Sequence, residues 1–174
     1  AGGYFTKTAD ERTLNLNYIA RFDPGNSTWN PLANNGLLGS AETMAIAGDN
    51  LYVGGAFSRT FDGNVTNLNR IARYNLTTNT WTPLANNGLN GIVRSMAIHG
   101  DYLYVGGTFT RTFDGSVTNL NRIARYNLTT NTWSPLTGNR LNGESLAMTM
   151  SGDVLYVGGA FTQTFDGSVF DLNY

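Results

Sequence analysis

Along Met44-Ala-Ile-Ala47 the side chains fall alternately on two faces, Met44 and Ile46 opposite Ala45 and Ala47, which is the period of a β-strand. Gly48-Asp49 follows as a two-residue hairpin turn, and glycine at its first central position favours type II′. Leu51, Tyr52 and Val53 are β-favouring residues that resume the ladder, and Gly54-Gly55 ends it. An excursion, SRTFDGNVTNL, carries a second hairpin signal at Asp62-Gly63, read as a type I′ turn. Arg70 to Asn75 reads as a third strand, Leu76 to Asn79 as a turn and Thr80 to Leu84 as a fourth strand. Pro83 lacks an N–H to donate, so that fourth strand belongs at a sheet edge. Residues 33–42 read as a polar, glycine-rich connection.

The pattern then returns. Leu51–Trp81 reappears 52 residues on as Leu103–Trp133, and begins a third time at Leu155. The N-terminus joins the same frame, with Gly2, Gly3, Ile19, Ala20, Arg21 and Trp29 each 52 residues before Gly54, Gly55, Ile71, Ala72, Arg73 and Trp81. Between Leu51–Leu84 and Leu103–Leu136 only Ala56/Thr108, Ser58/Thr110, Asn64/Ser116 and Thr82/Ser134 differ. Four short antiparallel strands per repeat, with no helical period, predict an all-β chain of β-propeller blades. The strands divide into a half blade at about 1–32, full blades at about 43–84 and 93–136, and a half blade at about 145–161 with a linker to 174.

These residues resemble the kelch type of propeller. The double glycines at 54–55, 106–107 and 158–159 carry the likeness, with the aromatic pairs Tyr74/Trp81, Tyr126/Trp133 and Phe22/Trp29. The variant seen here, GG-x-F-T with N-x-IAR-Y and W-x-P-L, is similar to extracellular bacterial proteins and fungal cortical proteins. The resemblance implies the fold and says little of activity. Galactose oxidase has kelch-type blades, but its copper site needs a cysteine and two histidines. This chain has no cysteine and one histidine, His99, so that chemistry does not carry over.

Three blades' worth of strands fall short of the four to eight of a closed propeller, so the ring is incomplete in one chain. The two half blades are complementary, and Leu155–Phe161 of one copy could pair with Tyr18–Phe22 of another. Phe161–Tyr174 and Phe5–Tyr18 hold the same repeat positions. Either one copy is displaced in a two-chain, six-blade ring, or the 174 residues are a window on a longer array. The expected partners are therefore other copies or adjacent repeats, with a protein or glycan ligand beside them.

Charged residues make up 13% of the chain, about half the usual share. Net charge is −1, which excludes a basic field for nucleic acid. No apolar run approaches the roughly 20 residues of a membrane helix, so no membrane insertion is expected. Lys7 is the only lysine, while Asn and Thr abound, a composition that suits a secreted or cell-surface protein. The first residue is Ala1 rather than Met, as expected of a processed or excised chain. Asn26, Asn64, Asn75 and Asn127 stand in glycosylation triplets, which chance supplies readily in such a composition.

Candidate chemistry is sparse. His99 precedes a turn and reads as an exposed imidazole. Asp62, Asp114 and Asp166 each open a D-G-[NS] turn with one carboxylate, too few ligands for a calcium loop. No cofactor and no enzyme activity are expected. Arg21, Arg73 and Arg125 recur, as do Asp49, Asp101 and Asp153, and the arginines are expected to bond turn carboxylates or carbonyls between blades. Tyr52, Tyr104 and Tyr156 are expected to fill the inter-blade core with the tryptophans. The candidate ligand-binding residues are Phe61, Phe113 and Phe165 at the excursion tips, flanked by Arg59 and Arg111. The resulting expectation is a non-enzymatic extracellular interaction or scaffold module. A symmetric lectin using the Phe-tipped hairpins, and a purely structural filament subunit or engineered scaffold, are the alternatives.

Overall fold

The computed structural model describes residues 1–136 and 141–172, so the last two residues of the linker to 174 lie outside it. Among the described residues twelve strands follow in order. The first pair is β1 (Ala20–Asp23) and β2 (Thr28–Pro31). A four-stranded sheet comes next, made of β3 (Ala41–Ala47), β4 (Asn50–Gly55), β5 (Ile71–Asn75) and β6 (Thr80–Pro83). A second comprises β7 (Val93–His99), β8 (Tyr102–Gly107), β9 (Ile123–Asn127) and β10 (Thr132–Pro135). The last pair is β11 (Ser145–Ser151) and β12 (Val154–Gly159).

Both four-stranded sheets are antiparallel meanders, β3-β4-β5-β6 and β7-β8-β9-β10, with the proline-bearing strand at the edge as its missing donor requires. Gly48, Gly100 and Gly152 have φ of 53°, 54° and 56°, and the residue after each stays at negative φ, as the type II′ reading expects. The Asp62-Gly63 turn differs from expectation. Thr60 O accepts from Gly63 N at 3.1 Å, Gly63 has φ 77°, and Asp62 stays at negative φ. A type I′ turn would place both central residues at positive φ, so this is a wider loop with glycine after the turn. Arg70 also departs from the strand expected of it. Its φ is 69°, and the ladder starts at Ile71.

The connection 33–42 holds more order than its composition suggests. Ala33–Asn35 and Ala85–Asn87 each form one 3-10 turn, with Asn34 and Asn86 left-handed at φ 59°. The first strand of each full blade then begins at Ala41 or Val93, with an irregularity two residues in.

The apolar cores lie between blades. One cluster joins Tyr52, Ile71 and Leu84 to Met96, Leu103, Val105, Tyr126 and Trp133 of the following blade. Another joins Ile19, Leu32 and Leu37 to Val53, Ala72, Tyr74 and Trp81. The first strands stack in sequence, with β7 against both β3 and β11. Glycine makes that contact close. A Cβ on Gly54 would sit 2.3 Å from Val93 Cγ1, and one on Gly106 would sit 2.3 Å from Ser145 Oγ.

Candidate binding face and inter-blade clefts

Each excursion leaves strand two, folds back over its own blade and presents a tip. Phe57 and Phe109 anchor the bases and are fully buried. At the first tip Thr60 N donates to Val65 O, and Phe61 N donates to Gly36 O at 3.1 Å. Phe113 N makes the same bond to Gly88 O at 3.0 Å. Phe61, Phe113 and Phe165 thus occupy equivalent places on three successive sheets, and these residues are 44%, 53% and 60% exposed. Arg59 and Arg111 are exposed beside them. Arg111 Nη1 folds back within 2.8 Å of where a Cβ on Gly115 would lie, whereas Gly63 has open space around it.

The tip aspartates spend their lone pairs locally. Asp114 accepts from Ser116 N at 3.0 Å, Ser116 Oγ at 2.8 Å, Thr112 Oγ1 at 2.8 Å and Asn86 Nδ2 at 3.2 Å. The backbone bond from Ser116 is the largest cause holding this carboxyl well below the usual carboxylate range, at about 2. Asp62 and Asp166 are lowered for the same reason, with the bonds from Asn64 N and Ser168 N leading. A depressed folded pKa contributes stability that is complete above the unfolded value and lost as pH falls through the folded one. The melting temperature is therefore expected to fall between pH about 4 and about 2. Asp114→Asn should flatten part of that slope, as thermal melts across this window will show.

Among the described residues no group of three or more His, Asp or Glu is placed to hold a metal ion. Chelator is expected to leave the melting temperature unchanged. A bound ion at saturation would add roughly 3–4 kcal/mol, so a clear drop in chelator would place calcium in these turns.

Several expected contacts are different. Among the described residues Arg73 and Arg125 bond neither a turn carboxylate nor a carbonyl. Arg73 Nε donates to Thr82 Oγ1, and Arg125 Nε to Ser134 Oγ, each at 3.1 Å across their own sheets. The Arg125 guanidinium also lies 4.8 Å from the Tyr102 ring centre. Thr82 and Ser134 stand directly across the ladder from Arg73 and Arg125, which sets each hydroxyl beside its guanidinium. His99 is less isolated than its place before a turn implies, with Nε2 2.9 Å from Asp153 of the last strand pair. The tyrosines divide by position. Tyr52 is buried at 4%, Tyr104 is half-buried, and Tyr156 is 57% exposed.

The Tyr/Trp pairs reach one repeat back. Trp81 Nε1 donates to Ala33 O at 3.0 Å, and Trp133 Nε1 to Ala85 O at 3.1 Å. Ala33 N donates in turn to Tyr74 Oη at 3.4 Å. The 3-10 turn of one repeat is thus clamped by the next. Glu42 and Arg94, at corresponding positions on β3 and β7, form an ion pair at 2.6 Å that sequence reading missed; the only signal was opposite charge at one frame position.

A family model for the Rax2 C-terminal beta propeller domain matches residues 44–170. The chain belongs to that family. Polarized growth protein rax2 of Schizosaccharomyces pombe is 41% identical over 86 residues, covering 49% of this chain and 7% of that protein. Polarized growth protein L1 of a Phoma species is 39% identical over 101 residues, covering 58% of this chain and again 7% of the relative. The matched part is thus a small fraction of either relative's length. Among solved structures, the extracellular domain of a putative hybrid two-component system from B. thetaiotaomicron aligns with TM-score 0.48 and 20% identity, over 72% of this chain and 14% of that one.

Proposed function

We propose that this chain is a non-enzymatic interaction and scaffold segment of a cell-surface protein of polarized growth, built from kelch-type blades. Its relatives are named for polarized growth and not for a reaction. The observation that carries the reading is the row of exposed phenylalanines at 61, 113 and 165, on tips whose aspartates are consumed by internal bonds. Exposed aromatic side chains repeated on a rigid scaffold suit a multivalent contact with a protein partner, and Arg59 and Arg111 add donors beside them.

The outer sides of the stack suit further blades, from adjacent repeats or other copies. Gly158 has nothing within 4 Å where Gly54 and Gly106 meet the next strand, and Met44 and Ile46 are exposed at the other side. The test is capture of surface proteins from polarised fungal cells by the immobilised chain, against a Phe61→Ser, Phe113→Ser, Phe165→Ser variant. Loss of a defined partner in the variant supports the reading. Equal capture removes the tips from it, and a glycan-array signal lost in the variant moves it to a lectin.

A further inference from the structure

Between the two complete blades lies a cavity of about 270 Å³. Tyr52, Arg73 and Pro83–Ala85 line it from one blade, and Tyr126 and Asn131 from the next. No carboxylate lines it. Arg73 is half-buried and belongs to no ion pair among the described residues. Its Nε donates to Thr82 Oγ1 at 3.1 Å, and Tyr52 is its partner across the ladder from β4. Burial pushes the Tyr52 and Tyr126 phenols up, with the Arg73 charge pulling both the other way, so both remain neutral donors at physiological pH. Tyr126 Oη donates to Asn131 Oδ1 at 3.2 Å, which leaves the Asn131 Nδ2 as a donor. Ala85 N reaches Tyr126 Oη at 3.5 Å, the weak end of hydrogen bonding. A half-buried cation, with donors gathered around it and no anion, is an incomplete arrangement.

We infer that this cleft is a carboxylate-binding site, with the Arg73 fork gripping the anion and Asn131 Nδ2 and Ala85 N–H beside it. Planar guanidinium and planar carboxylate match in a two-bond grip, and the lining residues Pro83 and Leu84 suit a short apolar stem. The site is separate from the hairpin tips and does not depend on what they bind. It recurs one repeat earlier. Arg21, Pro31, Leu32, Ala33, Tyr74 and Asn79 hold the corresponding places around a wider cavity of about 900 Å³. The tighter cleft is the one with both tyrosines.

The experiment is an NMR titration of the whole chain with acetate, N-acetylglutamate and phosphate, each against chloride at equal ionic strength. Saturable shifts at the Ala85 amide and the Arg73 Nε–H with the carboxylates are expected. Arg73→Gln should weaken binding at Ala85 at least tenfold, and Arg73→Lys should weaken it less. Asn131→Asp, at a left-handed position of φ 56° that aspartate accepts, should close the site with an internal carboxylate. That variant tests the idea even if Arg73→Gln fails to fold. Shifts equalled by chloride, phosphate binding as tightly as acetate, or undiminished binding in Asn131→Asp would each overturn the assignment. Tighter binding of a glutamate-containing peptide than of acetate would identify a protein chain as the source, and the reverse a small metabolite.

Discussion

Alanine at Gly55 or Gly107 is expected to lower stability by about 3 kcal/mol or more, a fall of roughly 6–12 °C in melting temperature. A Cβ on Gly55 would lie 2.0 Å from Ser40 O, and one on Gly107 would lie 2.0 Å from Ile92 O. Both obstacles are backbone carbonyls of the segment leading into the first strand, so no rotamer change relieves the clash. The whole segment must move. That segment also accepts bonds from Ala56 N and Thr108 N at 2.9 Å, which ties the shift to the base of the excursion. The control is Gly158→Ala, where the added methyl meets nothing within 4 Å. That change should stay within about 0.5 kcal/mol. Urea denaturation of the three variants decides the matter. A Gly55→Ala protein as stable as Gly158→Ala would mean that the close approach at the glycine pair is not a feature of the folded chain.

Trp81→Ala is expected to cost about 3–5 kcal/mol, the usual range for deleting a buried large aromatic ring. Trp81 is 3% exposed, its ring lies 4.8 Å from that of Tyr74, and its N–H satisfies Ala33 O of the preceding repeat. Trp81→Phe keeps a ring but orphans that carbonyl, and should cost about 1–3 kcal/mol. Trp29→Ala should cost clearly less than Trp81→Ala, because Trp29 is 36% exposed and packs beside Phe22, itself 45% exposed. Equal losses at 29 and 81 would show that the tryptophans stabilise their own sheets and not the joints between sheets.

What the sequence reveals here tracks how local each feature is. The Gly48-Asp49 turn and the Pro83 edge strand follow from two or three adjacent residues, and both stand in the structure. The frame of 52 residues makes the strand count legible for the same reason. The Asp62 turn misleads because Asp-Gly satisfies two turn types, and the choice rests on Gly36 O and Asn34 O reaching the tip from 25 or more residues away. The connection 33–42 reads as filler because its work is done for Trp81, 48 residues further on. Arg73 announces itself by recurring at each repeat, yet its surroundings combine Tyr52 of its own sheet with Tyr126 of the next. Recurrence marks a residue as belonging to the repeat unit, but cannot separate a structural contact from a cleft between units. The candidate tips at Phe61, Phe113 and Phe165 are legible as exposed positions, since polar turn residues surround them on both sides.

Because the apolar clusters join neighbouring sheets among the described residues, the molecule behaves as a one-dimensional stack of coupled units. Opening such a stack proceeds from its outer members, which have one neighbour, toward those with two. Amide hydrogen exchange should therefore be graded along the chain and not uniform. The β7–β8 amides, covered from both sides, should exchange slowest, and those of β1–β2 and β11–β12 should exchange orders of magnitude faster. The same gradient sets the order of rupture if the chain is pulled by its two termini. Outer strand pairs peel first at low force, and the two central sheets yield last, so a stretched molecule lengthens in steps before its middle is lost.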